Sequence, residues 1–220
     1  MSAIINDNHT KSSAGDPIYA GLKSDILSGR LKSGLPLRQD DIARDHGVSK
    51  IPVREALRRL EVEGLVVFEK NKGARVRHFS EVEILQLIDI RLALECRALE
   101  LAVDNMIASD LSAMRTLLDE YASTTDIARS SAINAQFHDM LYEPCDNPQL
   151  LGLIDDLQQK LGQHLRLLVT EASRLERTMH EHNEILSACE AGDAAAAVLH
   201  LRHHIETTKK EVAAFMRRGK

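Results

Sequence analysis

The sequence predicts a mainly α-helical protein in two parts, a small helical unit closed by a β-hairpin and then an all-α bundle of six helices. Three observations predict it. Aromatic residues make up only 3% of the chain and Trp is absent, so the core must come from Leu, Ile, Val and Ala, which favours packed helices. Apolar residues recur at helical spacing along most of the chain, and only "LVVFEK" and "ARVRHF", either side of "NKG", read as strands. Charge is unevenly divided: residues 16–79 carry 13 Lys and Arg against 9 Asp and Glu, a net of +4, whereas residues 80–220 carry 14 against 23, a net of -9. That asymmetry predicts a polyanionic partner for the first part alone. The chain is therefore read as a polar tail over 1–15, a basic unit over 16–79 and an acidic helical unit over 80–220.

The first helix fits "DPIYAGLKSDILSGR". Asp16 can cap it, Pro17 suits the first turn, and Ile18, Leu22, Ile26 and Leu27 form one stripe. A short second helix fits "RQDDIARDHG", with Ile42 and Ala43 inward and Gly47 as a left-handed stop. Ser49 can cap a third helix that runs from Lys50 to about Glu63, with Pro52 tolerated in the first turn. Val53, Ala56, Leu57 and Leu60 make its buried face, leaving Lys50, Arg54, Glu55 and Arg58 outward. A small residue at Ala43, a tight turn at Gly47 and an apolar lock at Val53 are the steric recipe of a helix-turn-helix. Followed by a hairpin with glycine at its tip, it becomes a winged helix, whose third helix can enter a DNA major groove.

This stretch resembles the GntR family of bacterial transcription regulators, through the core "GVS-x-x-PVREALRRLE-x-EGLV". The resemblance implies DNA contacts from Ser49, Lys50 and Arg54 at the front of the third helix, and from Gly73 in the wing. Two departures bear on base recognition. Lys50 stands where the family usually has Arg, and lysine lacks the planar fork that reads guanine with two bonds. Ile51 stands where the family usually has Thr and could pack on a thymine methyl. Asp40 occupies a position where some relatives carry a DNA-contacting Arg, so that contact is not expected here.

Helical repeats cover 80–106, 109–123, 127–143, 147–170, 174–190 and 193–217, with breaks at "NMIASD", "STTD", "EPCDNP" and "EAGD". Six helices in about 140 residues make a compact bundle. Seven of the ten histidines lie between residues 138 and 204. Asn134 and His138 share one helix face, while His182 and His204 fall on different helices; His180, His200 and His203 compete as ligands on spacing alone.

This second part resembles the FCD branch of the GntR regulators, in its six-helix subgroup, through "IDIRLALECRALELA", "NAQFHDMLYEPCDNPQL" and "HEHNEILSACEAGDAAAA". The resemblance implies a divalent metal, zinc first and nickel or manganese as alternatives, at the positions of Asn134, His138, His182 and His204. Asn134 departs from the family's Asp, and an amide carbonyl is a weaker, neutral oxygen ligand. Arg91 is placed to meet an effector carboxylate or, alternatively, to pair with Glu95 one turn away. Arg166 is a weaker candidate for the same task.

The expected function is a cytoplasmic, metabolite-responsive transcriptional repressor. It would bind palindromic double-stranded operator DNA as a homodimer and take a small carboxylate effector. No apolar run reaches membrane-spanning length, and the three cysteines form no C-x-x-C pair. Two other readings remain: a metal-dependent enzyme on a three-histidine site, with Glu181 or Glu184 as acid or base, and a DNA-binding protein whose metal only stabilises the bundle.

Overall fold

The computed structural model describes residues 15–166 and 172–218. The chain divides between His78 and Phe79 into two compact units. The expected tail over 1–15 lies, but for Gly15, outside the described residues, as does the end of the expected helix 147–170 beyond Arg166.

In the first unit the order is α1 (Gly15–Leu27), β1 (Pro36–Leu37), α2 (Gln39–Asp45), α3 (Lys50–Val62), β2 (Val66–Glu69) and β3 (Gly73–Val76). Ile18, Leu22 and Ile26 of α1 meet Val53, Ala56, Leu57 and Leu60 of α3, the face that the helical period marks out. Ala43 is buried in this core and Ile42 packs at its edge. Gly47 takes φ 63 in the turn between α2 and α3, a left-handed conformation that costs glycine little. Ser49 sits at the N-cap of α3 with extended backbone, but its hydroxyl makes no capping hydrogen bond, contrary to the sequence expectation.

The wing pairs β2 with β3 antiparallel, Val66 opposite Val76 and Glu69 opposite Gly73. Asn71 at φ 65 and Gly73 at φ 79 make the turn. β1 adds a third strand on the far side of β3, giving the order β1-β3-β2. Two residues are too few to leave an alternating pattern, which is why no sequence signal marks this strand. Leu37 at 5% exposure ties it to the core.

The second unit runs α4 (Glu81–Val103), α5 (Ala108–Ser123), α6 (Ile127–Tyr142), a 3-10 turn (Glu143–Cys145), α7 (Pro148–Arg166), α8 (Ala172–Glu190) and α9 (Ala194–Arg218). A capping box starts α4: the Glu83 amide donates to the Ser80 hydroxyl at 3.2 Å and the Ser80 amide to the Glu83 carboxylate at 2.8 Å. Asp126 and Asp193 cap α6 and α9 in the same spirit, accepting from Ala128 and Ala196 at 2.9 Å. The long α4 packs on α7 and α9, α8 lies beside α9, and α5 bridges α6 and α8. Ile84, Ile88, Leu99, Met114, Phe137 and Leu201 fill the centre, with Phe79 at its edge. Cys96, Cys145 and Cys189 are all buried free thiols. Among the described residues no helix is long and apolar enough to cross a membrane.

Candidate functional site

Two groups of side chains stand out, one in each unit. On the first unit Ser49, Lys50, Ile51 and Arg54 are all exposed at the front of α3. Lys50 and Arg54 are one turn apart and share a face, opposite the buried stripe. The cations here are not equivalent. Lys50 is ion-paired with Asp40 of α2. Arg44 is held by Asp41 at 2.9 Å, and Arg58 by Glu61 at 2.5 Å while lying over the Phe68 ring at 4.2 Å. Arg59 is held by Asp16 at 2.5 Å and lies over Tyr19 at 3.9 Å. Arg54 has no ion pair or hydrogen bond among the described residues.

Ile51 is 62% exposed, an unusual position for a large apolar side chain on a helix with a well-filled inner face. Gly73 lies at the end of the wing turn, with Lys70 and Lys72 exposed beside it. Two features escaped sequence reasoning. Arg38 is exposed at the N-cap of α2, unpaired among the described residues. The Lys50–Asp40 pair also joins two departures from the family pattern that had been read separately. A basic residue at the start of the second helix was the available signal for the first; nothing local could have revealed the second.

In the second unit α6, α8 and α9 bring His138, His182 and His204 together. Their ligand atoms all lie within 4.8 Å of one another, and their exposures are 2%, 0% and 5%. Phe137 stacks on His182 at 4.6 Å. The competing histidines are elsewhere: His180 and His203 are exposed, and His180 and His200 face Glu184 at 3.6 and 3.8 Å. Both ring nitrogens of His182, and Nε2 of His138, are buried without a hydrogen-bond partner. Burial, followed by the neighbouring imidazoles and Arg91, holds the His138 pKa well below the ordinary imidazole range. Burial, His204 and Arg91 do the same to His182. Buried ring nitrogens with nothing to replace water are costly, and a shared cation would satisfy the lone pairs of His138 Nε2 and of one nitrogen of His182, whose other nitrogen carries hydrogen. The donor set suits a borderline divalent ion.

The surroundings of the cluster are equally ordered. His204 Nδ1 is 2.7 Å from Glu181 Oε2, and Arg177 approaches Glu181 at 3.3 Å while also holding Glu211. Burial pushes the Glu181 carboxyl up, but His204 and Arg177 outweigh it and hold its pKa below the usual carboxylate value. His138 Nδ1 is 3.0 Å from the Tyr142 hydroxyl, which donates to Glu95 Oε2 at 2.8 Å. Glu95, fully buried, also accepts from Arg91 Nε at 2.7 Å and from Gln158 at 3.4 Å.

Arg91 donates through Nε to Glu95, the pairing that its i, i+4 spacing allowed. Asn134 is half-buried one turn ahead of His138, with no hydrogen-bond partner among the described residues. Of the two carboxylates considered as acid or base, Glu181 is bonded to a cluster histidine and Glu184 lies at the surface. The Arg166 side chain lies outside the described residues. Tyr142 was missed in the sequence, although its place four residues after His138 put it on the same face.

The chain matches the family described as bacterial regulatory proteins, gntR family, over residues 15–76 and the FCD domain over residues 86–207. It is 30% identical over 201 residues to the probable D-xylose utilization operon transcriptional repressor of Paenarthrobacter nicotinovorans, covering 89% of this chain and 87% of that protein. It is 25% identical over 211 residues to the gluconate operon transcriptional repressor of Bacillus subtilis, covering 92% and 86%. The solved structure of E. coli McbR/YncC shares the fold, with a TM-score of 0.77 and 24% identity over 96% of this chain and all of that one. The two curated relatives are named as transcriptional repressors and neither as an enzyme, which removes the metalloenzyme reading. The chain belongs to the GntR family of bacterial regulatory proteins, in the branch that carries an FCD domain, and is a DNA-binding transcriptional regulator.

Proposed function

We propose that the protein is a cytoplasmic, metabolite-responsive repressor that binds a palindromic operator as a homodimer and is controlled by a small carboxylate held at the histidine cluster. In this reading α3 lies in the major groove. Arg54 reads a base edge, Ser49 and Lys50 contact the same step or its phosphates, Ile51 packs on a thymine methyl, and the turn at Gly73 follows the flanking backbone. The exposed, unpaired side chain of Arg54 on the same face as Lys50 supports that role.

In the bundle a divalent ion, zinc first and nickel or manganese as alternatives, is held by His138, His182 and His204 with Asn134 alongside. When bound, the ion supplies a Lewis-acidic positive centre that attracts an anionic oxygen. A ligand set of three neutral imidazoles and an amide puts no anionic atom on the ion itself, which favours a carboxylate effector. Arg91, held by Glu95 beside the cluster, is the basic residue placed to meet the effector carboxylate. The name of the gluconate-operon relative is in keeping with an organic-acid ligand. An effector that prefers one dimer geometry must change operator affinity by linkage.

The observation that carries this reading is the set of three buried histidine rings whose ligand atoms lie within 4.8 Å of one another, two of them, His138 and His182, with orphaned ring nitrogens. The test is operator binding by zinc-loaded and chelator-treated protein across a panel of sugar acids and short carboxylic acids. A shift in operator affinity with one of these acids, lost on chelation, supports the reading. Identical binding in every condition refutes it.

A further inference from the structure

Two of the three cluster histidines have a hydrogen-bond partner on the side away from the cluster, and both bond chains end on a buried carboxylate. Glu95 accepts from Arg91 Nε on Oε1 and from the Tyr142 hydroxyl on Oε2. Tyr142 has one proton, and Glu95 takes it. Its oxygen can therefore only accept from His138, so His138 carries hydrogen on Nδ1 and presents a bare Nε2. That same Nε2 is the atom left buried and unpartnered. Glu181 is likewise acceptor-only, so His204 carries hydrogen on Nδ1 and its Nε2 is bare. A neutral imidazole in water prefers the opposite form, with hydrogen on Nε2. The fold selects the minority tautomer twice, by two separate routes. His182 has no such partner.

We propose that Glu181, and the Glu95–Tyr142 relay, are positioning residues that set His204 and His138 as Nε2 ligands and supply, from one hydrogen bond away at Glu181 and two at Glu95, the negative charge that Asn134 does not. A carboxylate behind a ligating histidine fixes the ring and raises its basicity. The two routes are unequal. Glu181 bonds its histidine directly, whereas Glu95 acts on its histidine through Tyr142. Loss of Glu181 is therefore the larger perturbation. The charge-supply half of this inference depends on the metal reading above; the tautomers belong to the metal-free protein.

The test uses isotope-labelled full-length protein stripped of metal. Long-range proton–nitrogen correlation at a pH where the rings are neutral distinguishes hydrogen on Nδ1 from hydrogen on Nε2. Hydrogen on Nδ1 is expected at His138 and His204. Glu181→Ala should shift His204 alone toward the Nε2–H form, and Tyr142→Phe should shift His138 alone. Zinc affinity, read by competition with a chromophoric chelator, should fall about 10- to 100-fold in the near-isosteric Glu181→Gln and less in Tyr142→Phe. Circular dichroism confirms that each variant is folded. Hydrogen on Nε2 at either ring of the wild type overturns the proposal, as does a folded Glu181→Gln that binds zinc within twofold of wild type. Wild-type protein that takes no zinc while both rings carry hydrogen on Nδ1 overturns the charge-supply half together with the metal reading, and upholds the tautomers.

Discussion

Arg54→Ala separates DNA recognition from folding more cleanly than any other change in the first unit. The side chain is exposed on α3 and has no partner among the described residues, so its removal leaves no buried group unsatisfied and opens no cavity. The melting temperature should not change. A charge-assisted contact to a base edge is worth about 1–3 kcal/mol. At about 1.4 kcal/mol per factor of ten, that is a loss of roughly 5- to 150-fold for each half-site and the product of two such losses on a full palindrome. Fluorescence anisotropy on an operator selected from random DNA, repeated across salt concentrations, reads both affinity and its origin. A base reader leaves the salt slope nearly unchanged and relaxes sequence preference. A phosphate contact lowers the slope by about 1 per side chain. Arg59→Ala is the contrasting control, because Arg59 is tied to Asp16 and Tyr19; it should lower the melting temperature. A folded Arg54→Ala protein that binds the selected operator within twofold of wild type removes Arg54 from the interface.

Three further expectations bear on the second unit. Asn134→Asp adds an anionic ligand and should tighten zinc while weakening a carboxylate effector; calorimetry on both proteins checks the two opposite signs, and unchanged zinc affinity would place Asn134 outside the site. His138 and His182 have depressed pKa values when folded, so between those values and the unfolded value near about 6.5 the unfolded chain binds more protons. Stability of the metal-free protein is then full above about pH 6.5 and falls as the pH drops through that window. Thermal melts at pH 8 and pH 5 should differ accordingly, and His182→Phe, which removes one of the two rings, should flatten the difference. A fragment spanning residues 79–220 should remain helical and dimeric, while one ending at residue 78 should keep little operator affinity because it loses the linkage of two half-sites; sedimentation of the longer fragment as a monomer at micromolar concentration contradicts the dimer.

Most of the fold was legible because helical burial leaves a periodic mark. Val53, Ala56, Leu57 and Leu60 are the inward residues of α3, and the glycine and aspartate at 192 and 193 mark the start of α9. The site was legible only in part. Spacing alone could not separate His182 from His180, yet two positions on a helix lie on nearly opposite faces, and only one of these two rings is buried. Contacts between distant segments left no local trace. Glu95 and Tyr142 are 47 residues apart in sequence, and Lys50 meets Asp40 across the turn between two helices. The Ser49 hydroxyl was misjudged for the opposite reason: a residue type that suits a cap was present at the cap position, but the local geometry left it unused and exposed.

The central claim is that the three buried histidines hold a divalent metal, and anomalous diffraction from crystals of protein purified without chelator tests it most directly. A peak is expected at about 2.0–2.1 Å from Nε2 of His138 and His204 and from one ring nitrogen of His182, strongest just above the absorption edge of the bound metal. No peak among these rings, even after the crystals are soaked in zinc, nickel and manganese in turn, would contradict it.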